Sequence, residues 1–136
     1  MVYLVTALEE LKESLKETMT PDDVVMGILS GLDTNSIPKD PQVLHRAIYD
    51  LKESNADNGL LQKFSFDTSG ITPFSDLVDR VLFRLETANF LGTLNPRYAV
   101  YELKKEQLQK SLDKFSKQQK SVLEQMSRDF QNILGG

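Results

Sequence analysis

FSFDTSGITPFSDLVDRVLFRLETANFLGTLNPRYAVYEL, residues 64–103, is the stretch on which the fold turns. Phe74, Leu77, Val78, Val81, Leu82, Leu85 and Ala88 recur at helical spacing over nearly four turns. Gly70 and Thr72-Pro73 give the helix a start, because proline at a first helical position gives up no needed N–H. Asp76, Asp79, Arg80, Phe83, Arg84 and Thr87 fall on the other face, so Phe83 must meet another element, a partner or water. Ahead of the helix, Phe64 and Phe66 alternate across Ser65, which suits a half-buried strand. Behind it, Phe90–Leu94, an Asn95-Pro96-Arg97 turn and Tyr98–Leu103 read as a β-hairpin.

Toward the N-terminus, Leu4, Leu8, Leu11, Leu15 and Met19 mark an amphipathic helix with a narrow seam, assigned to residues 1–19. A second helix starts at Thr20-Pro21, with Asp23 completing a capping box, and buries Val24, Val25, Ile28, Leu29 and Leu32. DTNSIPKD is a loop. A third helix opens at Asp40-Pro41 and buries Val43, Leu44, Ala47, Ile48 and Leu51, before the turn formers ESNADNG.

Toward the C-terminus, no proline or glycine interrupts residues 102–134. Leu108, Leu112, Phe115, Val122, Met126, Phe130 and Ile133 form an apolar seam, with Gln119 as a register-fixing polar position. A helix of roughly 30 residues would be about 45 Å long, more than so small a core can cover. The seam from Leu108 to Phe130 therefore needs the N-terminal helix, a second copy of the chain or another protein, and the expected assembly is a homodimer. The expected division is a 1–19 helix, a 20–103 core and a 104–136 coiled-coil-like helix.

The single histidine, His45, has no second histidine or cysteine with which to hold a metal. With no cysteine there is no disulfide or thiolate chemistry. Phosphate-cradling glycine motifs are missing, and Asp57-Asn58-Gly59 lacks the downstream glutamate of a calcium loop. This inventory disfavours an enzyme and calls for no cofactor. No apolar run approaches a membrane span, and the expected setting is cytoplasmic. The net charge of −4 argues against broad nucleic-acid affinity. Locally the sign changes: six lysines at 104, 105, 110, 114, 117 and 120 face only Glu106 and Asp113, a net of +4. Residues 1–19 carry four glutamates against two lysines, a net of −2.

From Pro41 to Leu103 the order helix, strand, helix, hairpin resembles a winged-helix domain. Phe64, Phe66, Gly70, Pro73, Phe74, Leu77, Leu85 and Tyr98 are similar to positions of the SocA-like (Panacea) antitoxin domain, and a long helix after the wing is similar to PadR-type regulators. The resemblance implies an α+β, mostly α fold with Phe64–Phe66 pairing with the wing. The function expected on that scaffold is a homodimeric transcriptional regulator, and the placement of Arg80 and Arg84 on the outer helix face, Arg97 at the hairpin tip and Lys104 and Lys105 after it makes these the expected contacts to double-stranded DNA. The alternative is a non-enzymatic protein–protein interaction module on the same scaffold.

Overall fold

Thr20 and Asp23 each accept a hydrogen bond from the other's backbone amide, both at 3.1 Å. This reciprocal cap starts α1 (Pro21–Ser30) where the Thr-Pro signal placed it. The computed structural model describes residues 19–56, 59–93 and 99–135. The amphipathic stretch ending at Thr18, the Asp57-Asn58 pair, and the hairpin tip with Arg97 and Tyr98 lie outside the described residues.

The chain then runs through β1 (Ser36–Pro38), α2 (Pro41–Ser54), α3 (Asp76–Thr87), β2 (Leu91–Gly92) and β3 (Val100–Leu103). It ends in α4 (Lys105–Ser111), a 3-10 turn at Leu112–Lys114 and α5 (Lys117–Gly135). The fold is α+β and mostly helical, with one antiparallel sheet in the order β1-β3-β2.

Asp40 caps α2 by accepting from the Gln42 amide at 2.9 Å. On that helix Leu44, Ala47, Ile48 and Leu51 are buried as their spacing requires. Val43 is not: it is 40 % exposed, and His45 takes the inward place at 1 %. α3 starts later than the Thr72-Pro73 signal. Ser75 is its cap, and Thr72-Pro73 belongs instead to a loop closed by a two-way backbone bridge between Asp67 and Phe74.

The strand expected at Phe64–Phe66 does not join the sheet. Ser36–Pro38, read as loop, pairs with β3 instead, Ile37 opposite Tyr101. A three-residue strand with one inward side chain carries too little alternation to be seen in sequence. Its outer edge is blunted: the Thr34 hydroxyl bonds both the Ser36 carbonyl and amide, and Pro38 has no N–H to offer. The hairpin does form, with Leu91 opposite Leu103. Asn89 at φ 67° turns the chain out of α3 into β2, a left-handed position that asparagine tolerates.

The uninterrupted helix expected over 104–136 is broken. Phe115 is extended, at φ −94° and ψ 151°. Ser116 and Gln119 then exchange bonds, Ser116 N–H to Gln119 Oε1 at 2.9 Å and Gln119 N–H to Ser116 Oγ at 3.1 Å. This reciprocal cap starts a new helix. The reversal lets α5 lie back across α1 and α2. Leu108, Phe115, Leu123, Met126 and Phe130 are buried in the same core as Val24, Leu51 and Val81, with Leu112 and Val122 packed against it. The seam assigned to a dimer interface is thus covered by its own chain, because a short turn allows the helix to fold back.

Close packing of α1 on α5 depends on Gly27 and Gly31. A Cβ at Gly27 would stand 2.5 Å from Leu123 Cδ1, and one at Gly31 2.5 Å from Ser127 Oγ. The Ser127 hydroxyl sits in this crossing and donates to the Ile28 carbonyl at 2.7 Å. Lys114 Nζ meets Asp23 at 2.9 Å and ties the turn after α4 to the start of α1.

Candidate functional site

α3 buries Val78, Val81, Leu82 and Leu85 against the core and turns Asp76, Asp79, Arg80, Phe83, Arg84 and Thr87 outward. Phe83 is 69 % exposed, an uncommon position for an ordered aromatic ring. Beside it, Arg84 grips Asp22 with two bonds, Nε to Oδ2 at 2.8 Å and an Nη to Oδ1 at 2.7 Å. The carboxylate raises the Arg84 guanidinium further above its ordinary value. Arg84 is therefore held against the start of α1, and its charge is met within the chain. Arg80, one turn earlier, has no ion pair among the described residues.

The two candidate lysines are engaged as well. Lys104 lies 3.5 Å from Glu102. Lys105 donates through Nζ to the Leu32 carbonyl, with the Ser30 carbonyl at 3.5 Å, and so caps the end of α1. Partial burial lowers the Lys105 ammonium below its ordinary value, with Asp33 opposing. Of the five expected DNA contacts, Arg97 lies outside the described residues, three are satisfied internally, and Arg80 has no ion pair among the described residues. Nothing local in the sequence signals the Asp22–Arg84 pair, since its partners are 62 positions apart.

At the N-terminal end of α3, His45 joins α2 to the outer face. Its Nε2 lies 2.8 Å from Asp79 Oδ1, and its Nδ1 accepts the Ser75 amide N–H at 3.0 Å. Nδ1 is an acceptor here, so the ring is the Nε2–H tautomer and donates to Asp79. Phe74 stacks on the imidazole, centroids 4.7 Å apart and planes 7° from parallel. Serine, histidine and aspartate converge here, but not as a nucleophile and its base. The imidazole faces the Ser75 backbone, and Ser75 Oγ accepts from the Val78 amide at 3.4 Å. Tyr101 lies behind α3. Burial and the negative charges of Glu86 and Asp79 raise its phenol above the ordinary value.

A shallow groove runs along the start of α3, floored by Phe66, Phe74 and Leu77 and edged by Lys63, Asp67 and Arg80. The enclosed void in the core, between Val25, Leu44, Leu51 and Phe130, is apolar and about 20 Å³, the space of one water and too small for a ligand. Among the described residues no cluster of three or more His, Asp or Glu side chains forms a metal site, and no helix is long and apolar enough to cross a membrane. Comparison with protein-family models, curated proteins and solved structures returns no significant match to this chain.

Proposed function

We propose that this chain is a non-enzymatic protein-interaction module on a winged-helix-like scaffold, with the outward face of α3 as its docking surface. The observation that carries this reading is Phe83, largely in solvent at the centre of a face on which Arg84 is held by Asp22 and Asp79 is bonded to His45. A large aromatic ring flanked by satisfied polar groups is the composition of a protein-binding hot spot. A DNA-reading helix instead needs uncompensated cations aimed at phosphates or guanine edges. The scaffold part of the proposal draws on the element order, helix, strand, two helices, two strands, and on the sheet order β1-β3-β2. Residues 55–75 separate α2 from α3, far more than the 3–4-residue turn of a DNA-binding helix-turn-helix.

A second reading keeps the DNA-binding regulator, because Arg80 projects from the helix that directly precedes the hairpin. One experiment separates the two. A photo-reactive phenylalanine analogue is placed at position 83 in cells, and DNA binding is followed in parallel by fluorescence anisotropy across salt. A discrete protein adduct at 83, with no salt-dependent DNA affinity, is the expected result. No adduct, together with DNA binding whose salt slope falls in Arg80→Ala, would replace the module reading with the regulator reading.

A further inference from the structure

We propose that His45 is a proton-operated latch on the loop 67–74: a proton on its Nδ1 drives off the Ser75 amide and turns the Phe74–Ser75 peptide out of the loop, while Asp79 keeps the ring in place. The latch acts whatever the outward face of α3 binds.

Both nitrogens of this buried imidazole are engaged. Nδ1 accepts the Ser75 N–H at 3.0 Å, and Nε2 donates to Asp79 Oδ1 at 2.8 Å. A backbone N–H can only donate, so the Ser75 bond exists only while Nδ1 carries no proton. An imidazolium donates from both nitrogens, which sets two N–H groups head to head across 3.0 Å. One of them must move. On the Nε2 side the new charge strengthens the bond to the Asp79 carboxylate, so the ring holds to α3. Phe74 holds it as well, because its ring is stacked on the imidazole and an aromatic face attracts a cation. The Ser75 amide is the group that gives way.

The peptide that carries this amide also closes the loop. Its carbonyl, on Phe74, accepts the Asp67 N–H at 2.7 Å. A peptide is planar, so a rotation that takes the Ser75 N–H off His45 swings the Phe74 carbonyl off Asp67. Ser75 is also the cap of α3, and the first turn of that helix loosens with it. Among the described residues Asp79 is the one charged side chain bonded to the ring. On α2 itself, Arg46 pairs with Asp50 on the exposed side, and Tyr49 lies edge-on to Phe66. In the loop, the Asp67 carboxylate is turned to Ser69. Tyr101 behind α3 keeps its phenol proton, which burial and the charges of Glu86 and Asp79 favour. From α5, Phe130, Ile133 and Leu134 face α2, and Asp129 reaches only Asn55 at its far end.

Heteronuclear NMR on the full chain tests this from about pH 8 to about pH 5, the span in which histidine changes charge. His45 is the single histidine, so its ring signals identify themselves. The Asp67 carboxyl, held below the usual carboxylate range, titrates beneath that span. In the neutral ring the Nδ1 signal should be that of a nitrogen without a proton. As the ring takes up its proton, the Ser75 and Asp67 amides should lose about tenfold or more of their exchange protection, taken relative to the intrinsic rate at each pH. Both losses should share the midpoint of the ring, while the Leu51 amide of α2 stays protected. Asp79→Asn keeps an oxygen for the Nε2–H but removes the charge, so it should move the ring and both amides together to lower pH. A neutral ring with its proton on Nδ1 overturns the latch, as does a Ser75 amide equally protected in both charge states. So does a ring still neutral at about pH 5, or protection lost from every amide at once.

Discussion

His45 is the residue on which the candidate face is mounted. It is buried, accepts the Ser75 amide and donates to Asp79, and so joins α2 to the first turn of α3. His45→Ala would leave the Ser75 N–H without a partner and open a cavity under Phe74. A loss of about 2–4 kcal/mol is expected in urea unfolding. Asp67 works at the same scale on the neighbouring loop. Its Oδ1 accepts from the Ser69 hydroxyl at 2.7 Å and amide at 2.9 Å, and these bonds hold its carboxyl below the usual carboxylate range. A folded value below the unfolded one means that the contribution is complete above about pH 4 and fades as pH falls through the lower, folded value. Protection of the Ser69 amide from hydrogen exchange, taken relative to the intrinsic rate at each pH, should fall across that acidic window. In Asp67→Asn, which keeps an acceptor but no titrating group, that fall should vanish.

Among the elements, the break between α4 and α5 decides most. Ser116 and Gln119 form the S-x-x-Q pattern of a capping box, so the interruption was present in the sequence. The leucine and phenylalanine seam running through it obscured it, because an apolar period continues across a turn when both helices face the same core. The two interpretations differ in sign. In a continuous helix, Ser116→Ala would raise stability slightly, since alanine is the better helix former. With Ser116 as a cap, the same change should cost about 0.5–2 kcal/mol by thermal or urea unfolding. α3 behaved differently. Its inward stripe was legible from Leu77 to Leu85, but its start was not, because Thr72-Pro73 imitates a cap while Ser75 supplies it. The loop closed by Asp67 and Phe74 claims the proline instead.

For the whole molecule, the segment after Leu103 is part of the core rather than an appendage. Leu108, Phe115, Leu123, Met126 and Phe130 are each under 8 % exposed. At about 1.5–3 kcal/mol for each buried side chain, they match the about 5–15 kcal/mol that holds a typical domain folded. A chain ending after Leu103 should therefore lose its cooperative unfolding transition, with circular dichroism showing no thermal midpoint. If the truncated chain still melted cooperatively near the full-length midpoint, a separate 20–103 domain would be restored. The sequence by itself determined the helical stripes of α1, α2 and α3, the caps at Thr20 and Asp40, and the hairpin, because period and cap chemistry act within a few residues. Only the tertiary structure decided that Ile37 joins the sheet, that Arg84 is held by Asp22, that His45 turns inward, and that the last helix folds home. Each of those depends on groups distant in sequence meeting at one place, and no local pattern encodes such a meeting.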